Sequence, residues 1–378
     1  MNTPPSDGTP TPTPAPASPQ PMQPIAPSHA ATGKYLVWLF TALVIVGAAS
    51  WWFLAPKSPK AQPQTEAPIR IGFSLGTLRE ERWQRDIDLF TARAEALGAT
   101  VIPAYANDDS KLQITQAEDL ILQKVDVLVV VAQDGDAAAQ IVQEAHAAGI
   151  KVVAYDRLIN DPTLDLFVTF DSRIVGKLEA QEMVRRVPKG IYAYIGGSTT
   201  DNNAFLHKEG AMGVLQPLID KGDITLAVNS FTDGWKPDIA YKTMSAYLAT
   251  GKKVDAVVAA NDGTAGGVVQ ALTEHGLAGK VPVTGQDADL AACQRIVAGT
   301  QVATVYKPIS VEAGQAAEDA VALARGGTVD AGGTIPVASA SVPARLLVPT
   351  LVTKENLDST VIKDGFQSRE AVYGTTTP

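Results

Sequence analysis

At 378 residues the chain exceeds the length at which a single hydrophobic core usually stops growing, which predicts two lobes. Hydrophobic residues make up 46% and charged residues 19%, as in a globular protein, and the net charge of -9 argues against nucleic acid or an anionic membrane surface as the main partner. The one cysteine, Cys293, rules out an intramolecular disulfide and a multi-cysteine metal site, and reads as a packed core thiol.

Residues 1–33 hold ten prolines among Thr, Ser, Ala and Gln, with Asp7 the only charged side chain. That composition offers too little apolar surface to offset chain entropy and predicts a disordered tail. From Tyr35 to Ala55 every residue except Thr41 and Ser50 is apolar, Gly or Ala, with Tyr35, Trp38, Trp51 and Trp52 near the ends. Residues 34–55 therefore read as a transmembrane anchor or a signal sequence. Gly47-Ala48-Ala49 resembles a cleavage site, but Trp51 to Leu54 carry the apolar run past it, which favours an uncleaved anchor. Lys34 on one side and Lys57 and Lys60 on the other leave its orientation open. Residues 56–68 form a Pro/Gln/Lys linker.

From Ile69 onward short apolar runs alternate with helical stretches. The runs Ile69 to Phe73, Val101 to Ala104, Val125 to Val131 and Val152 to Tyr155 are separated by helices over Leu78 to Leu97, Lys111 to Gln123 and Ala137 to Ala148. This is a parallel βαβ series. After Phe167 to Phe170 the rhythm restarts, with strands at Ile191 to Ile195, Ile224 to Val228, Ala256 to Ala260, Val281 to Thr284 and Ala303 to Val305. A helix over Val311 to Arg325 and a strand over Arg345 to Val348 must then return to complete one or both sheets, so the lobes interleave through several crossings.

Open parallel sheets bind ligands beyond the carboxyl ends of their strands, which directs attention to polar residues just after apolar runs. Asp156 and Arg157 follow Val152 to Tyr155, Asp171 follows Phe167 to Phe170, Asn261 and Asp262 follow Ala256 to Ala260, Asp287 follows the Val281 strand, and Lys307 follows Val305 and Tyr306. A helix-cap or turn role is the plain reading of each Asp or Asn, with Asp171 and Asp262 the expected caps. Trp83 at the opening of the first helix and Trp235 in Asp233-Gly234-Trp235-Lys236-Pro237 suit a cleft rim or packing beneath a loop. A flat ring stacked on the C–H face of a pyranose, with edge hydroxyls bonded by Asp, Asn and Arg, is the composition of a sugar site.

Residues 69 to about 370 resemble the pentose- and hexose-binding periplasmic proteins, the family that includes the ribose-binding proteins. The matching runs are Glu81-Arg82-Trp83-Gln84, Tyr155-Asp156-Arg157 with Ile159-Asn160-Asp161, Asp201-Asn202-Asn203-Ala204, Asp233-Gly234-Trp235, Asn261-Asp262 with Thr264-Ala265-Gly266-Gly267, Gly285-Gln286-Asp287-Ala288-Asp289-Leu290, and Val305-Tyr306-Lys307-Pro308. The resemblance implies an α/β fold of the type I periplasmic binding protein class, two doubly wound parallel-sheet lobes joined by a three-segment hinge. One lobe would take residues 69–171 with about 308–340, the other residues 172–307 with about 341–370. Carried over by position, Arg82, Asp156, Arg157, Asn203, Asn261, Asp287 and Lys307 would hydrogen-bond a monosaccharide, with Asn202 the alternative to Asn203. Trp83 and Trp235 would stack on it. The implied ligand is a pentose, D-xylose foremost, closing a monomeric protein that needs no cofactor or metal and delivers the sugar to an ABC-type permease in the inner membrane. The family usually carries a short cleaved signal, so the Pro-rich tail and apolar segment depart from it and suggest a periplasmic domain tethered to the inner membrane.

Three rivals follow. Gly72-Phe73-Ser74-Leu75-Gly76 matches the G-x-S-x-G nucleophile elbow, but a triad also needs a His, and only His275 of the folded part follows most candidate acids. A repressor core of the same fold would need a helix-turn-helix where the apolar segment stands. A tethered sugar sensor keeps the fold and the site and changes the partner.

Overall fold

The computed structural model describes residues 68–374. The Pro-rich stretch, the apolar segment and nearly all of the linker lie outside the described residues. Among those described, no helix is long and apolar enough to cross a membrane.

The chain runs β1 (Ile69–Leu75), α1 (Arg82–Ala96), β2 (Ala99–Tyr105), α2 (Ser110–Leu122), β3 (Val127–Val131), α3 (Ala139–Ala147), β4 (Lys151–Tyr155) and β5 (Leu166–Phe170). It continues through α4 (Ser172–Arg186), β6 (Gly190–Ile195), α5 (Asn202–Asp220), β7 (Ile224–Ser230), α6 (Pro237–Ala249), β8 (Ala256–Ala259), α7 (Asp262–Glu274), β9 (Thr284–Gln286), α8 (Leu290–Ala298) and β10 (Ala303–Tyr306). Last come α9 (Ile309–Ala324), β11 (Thr334–Val337), β12 (Ala340–Leu347), β13 (Thr350–Val352) and α10 (Arg369–Tyr373).

The first sheet has the order β11-β12-β5-β4-β3-β1-β2. Its interior strand β3 reads Val-Leu-Val-Val-Val and is buried throughout, as expected for a parallel strand with helices on both faces. Successive side chains go to opposite cores: Val127, Val129 and Val131 pack with Phe90 and Ala317, whereas Leu128 and Val130 pack with Ala117 and Ile141. The second sheet joins β7-β6-β8 to β9-β10-β13 through a bridge between Val257 and Val283, with β13 antiparallel to β10.

The chain passes between the sheets three times, at Asp171 after β5, at Lys307 and Pro308 after β10, and at Val348 and Pro349 after β12. Asp171 N donates to Leu347 O at 2.9 Å, tying the first and third crossings together. The boundary expected near residue 341 moves: β12 runs parallel to β5 with Ala344 opposite Phe167, so the chain leaves the first sheet only after Leu347. A short antiparallel hairpin with β11 precedes that pairing, and its mixed polarity gave no period to place the edge.

Side-chain caps fix where several helices begin. Asp109, Asp171 and Asp201 accept from first-turn amides of α2, α4 and α5, and Asn261 with Thr264 forms a capping box on α7. Asp171 is therefore the cap the sequence suggests. Asp262 is not, because Asn261 takes that place; the Asp262 carboxylate instead accepts from Gln301 Nε2 at 2.7 Å and Thr304 Oγ1 at 2.8 Å.

Candidate functional site

One pocket lies between the carboxyl ends of the two sheets, and all nine residues proposed from the sequence as ligand contacts line it. Arg82 and Trp83 open α1, and Asp156 and Arg157 follow β4. Asn203 lies in the first turn of α5 and Trp235 in a short turn before α6. Asn261 caps α7, Asp287 follows β9, and Lys307 stands at the second crossing. None is more than 8% exposed, so their charges must be paired within the protein.

Arg82 is the most committed of them. Its Nε and Nη2 donate to Asp86 at 2.8 and 3.0 Å, Nη2 also to Glu312 at 2.6 Å, and Nη1 to Asp156 at 2.7 Å. A guanidinium has five N–H donors, so one on Nη1 remains for a ligand. Lys307 Nζ lies 2.8 Å from Asp287 and 3.6 Å from Asp156. Burial pushes the Asp156 carboxyl up, but the combined field of Arg82, Lys307 and Arg157 outweighs it and holds the group at about 2. Asp156 is an ionised acceptor in all ordinary conditions.

Asp156 and Arg157, adjacent in sequence, do not pair with each other. Asp156 adopts a φ of 57°, a conformation rare outside Gly, which sends the two side chains to different partners. Arg157 reaches Asp201 of the second lobe at 3.3 Å and Glu80 at 3.7 Å. Each of those carboxylates also holds an indole: Trp83 Nε1 donates to Glu80 at 2.5 Å and Trp235 Nε1 to Asp201 at 3.2 Å. The Trp83 ring carries the Arg82 guanidinium 4.5 Å and the Arg157 guanidinium 5.3 Å from its centroid.

Asn261 serves two roles at once. Its Oδ1 accepts from Thr264 N at 2.8 Å as the cap, which leaves its amide hydrogens for the pocket. Asn203 Nδ2 donates to the Asp156 carbonyl at 2.7 Å, while its buried Oδ1 has no partner among the described residues. Each lining carboxylate lies within 4.0 Å of a lining cation, and the walls offer spare donors and acceptors besides. That suits a small neutral molecule rich in hydroxyls.

Sequence reading missed Glu80, Ser172, Asp201 and Gln286, which also line the pocket. Gln286 precedes and Ser172 follows a residue picked by the strand-end rule, so extending the rule by one position would have found two of them; Asp201 lies six residues past β6, in the run Asp201-Asn202-Asn203 that carries the family resemblance. Glu80 sits in a charged stretch before α1 and carries no such signal. Ser74 is fully buried within β1, where Gln113 Nε2 approaches its hydroxyl at 3.2 Å, so it does not stand on an exposed elbow.

Residues 71–328 match the periplasmic binding protein domain family. The chain belongs to the periplasmic binding protein family. It is 48% identical over 299 residues to the D-xylose-binding periplasmic protein of Escherichia coli K12, covering 79% of this chain and 91% of that one. It is 34% identical to a multiple sugar-binding periplasmic receptor of Rhizobium radiobacter, over 78% of this chain and 90% of the relative. Among solved structures, an ABC transporter solute-binding protein from Clostridium phytofermentans with bound β-D-glucose superposes with a TM-score of 0.75 at 29% identity, covering 80% of this chain and 99% of the other. A carbohydrate transporter solute-binding protein from Chloroflexus aurantiacus, in complex with D-glucose, gives 0.74 at 32% identity over 80% and 97%. As a member of this family the chain is a binding protein and not an enzyme.

Proposed function

We propose that this periplasmic binding protein takes up a pentose, D-xylose foremost, between its lobes and hands it to an ABC-type sugar permease. The observation that carries the reading is the paired arrangement of Trp83 and Trp235, one from each lobe, each held by a carboxylate beside a pocket of ion-paired side chains. Arg82, Asp156, Arg157, Asn203, Asn261, Asp287 and Lys307 would bond the hydroxyls, and the indoles would cover the apolar faces of the ring. Contact with both lobes at once favours the closed form, which is the species a transporter selects. The names of the relatives in Escherichia coli and Rhizobium support a sugar, and the first of them supports xylose. The apolar run Tyr35 to Ala55 supports a tether to the inner membrane.

A chain beginning at Ala61 keeps only Trp83 and Trp235 of the five tryptophans. Titrating it with D-xylose, D-ribose, L-arabinose, D-glucose and D-galactose should change its fluorescence most strongly and at lowest concentration for D-xylose. Silence across that panel, matched by a calorimetric null, would sink the sugar reading. For the tether, the mass of the protein extracted from membranes decides: a chain beginning near Ser50 means a cleaved signal.

A further inference from the structure

α8 begins without a cap of its own. Asp289, the residue before Leu290, makes no side-chain hydrogen bond to the first turn, although Asp is among the preferred residues there. Burial, and then the neighbouring carboxylates of Asp262, Asp287 and Glu81, push the Asp289 carboxyl well above the usual range, which makes it a poor acceptor. The helix is capped from the other lobe. Leu290 N donates to Glu81 Oε2 at 2.9 Å. The second oxygen, Oε1, accepts from Gln367 Nε2 at 3.0 Å. Glu81 immediately precedes α1 of the first lobe, whereas Leu290 and Gln367 belong to the second. One turn along α1, Arg85 lies 3.2 Å from Glu81, donates to the Phe366 carbonyl and sits with its guanidinium 4.9 Å from the Phe366 ring centroid.

We infer that Glu81 is a closure cap, a first-lobe carboxylate that completes the N-terminus of a second-lobe helix when the lobes meet. It stabilises the closed form through protein groups alone. A first-turn amide carries the positive end of the helix dipole, so a carboxylate is favoured over a neutral acceptor. Glu81 does not line the ligand pocket, but its neighbour Arg82 does, and Leu290 lies three residues beyond Asp287, which faces Arg82 at 4.0 Å. The cap therefore sets how long a bound molecule stays without reading which molecule it is. Its side chain is 34% exposed, which moderates the effect through solvent screening.

The test compares wild type, Glu81→Gln and Glu81→Ala in the whole chain, by amide exchange at Leu290 and by dissociation rates for several sugars. Only the second measurement rests on the sugar-binding reading. In Glu81→Ala the Leu290 amide should exchange roughly threefold to thirtyfold faster than in wild type with no sugar present, the range expected for loss of a helix cap. Each sugar that binds should dissociate faster by one common factor, and Glu81→Gln, which keeps an acceptor, should fall between the two. Equal Leu290 exchange in wild type and Glu81→Ala would overturn the inference, as would a change in rate that differs from sugar to sugar. A wild-type protein that binds none of the panel overturns the sugar reading instead, and the Leu290 comparison still decides the cap.

Discussion

Asn203 of the second lobe donates its side-chain amide to the main-chain carbonyl of Asp156 in the first, at 2.7 Å, and leaves its own carbonyl oxygen buried beside the pocket with no partner among the described residues. The residue thus joins the lobes and presents an acceptor to whatever lies between them. Asn203→Ala removes both and should raise the Kd for D-xylose by about 10- to 100-fold, the cost of one or two buried hydrogen bonds. Isothermal calorimetry measures it; an unchanged Kd would remove Asn203 from the binding set.

Asp156 answers to Arg82 and Lys307 at once. Replacing it by Asn leaves two buried cations facing a neutral amide, and Asp156→Asn should weaken binding by at least about 100-fold. The folded carboxyl, at about 2, lies below the ordinary value of an unfolded chain. Its stabilising contribution is therefore complete above about pH 4 and disappears as the pH falls from about 4 towards 2. Sugar affinity should accordingly hold level between pH 8 and pH 5. A steep decline within that interval would contradict the ion-paired state of Asp156.

Asp262 behaves in the opposite sense. Burial raises its carboxyl to about 7, against the pull of Arg295 and the hydrogen bonds from Gln301 and Thr304. The folded state then holds a proton that the unfolded chain releases near pH 4, so this group's contribution falls as the pH rises from about 4 to about 7. Chemical denaturation of wild type and Asp262→Asn should show the difference between them moving in favour of the variant from pH 5 to pH 8. A pH-independent difference would refute the raised value.

Gly197 backs the Trp235 ring so closely that an added Cβ would lie 2.2 Å from it. Gly197→Ala should displace the indole while leaving the second sheet intact, and raise the sugar Kd by more than about tenfold through lost stacking. Tryptophan fluorescence of the ligand-free variant should differ from wild type; an unaltered spectrum with an unaltered Kd would place the Trp235 ring elsewhere.

Most of the alternating α/β order was legible because buried parallel strands such as β3 are unbroken apolar runs bounded by turns and helices. Asp156, Arg157, Asn261, Asp287 and Lys307 were legible for a related reason, since a polar side chain that follows such a run falls at the mouth of a sheet, whereas Arg82 and Asn203 were reached only through the family resemblance. What the pattern could not show was partnership. Nothing in Asp156-Arg157 says that the first side chain goes to Arg82 and the second to Asp201, because that divergence comes from a backbone turn at positive φ. Asp262 was misread as a cap because Asn261 beside it is equally suited, and only the backbone angles separate them. Glu80 escaped because its role depends on an indole three residues ahead and a guanidinium in the turn after β4.

The interleaved path also sets an order of assembly. β12 and α9 complete the first sheet and its core, yet both come after the whole of β6 to β10 in the chain. The lobe whose first strand leaves the ribosome earliest therefore cannot finish until residue 347 has been made. A segment ending near residue 306 would expose the edge of β5 and the apolar face that α9 covers, and would tend to aggregate. Neither lobe is a separable module, and fragments cut at the crossings should refold only when mixed.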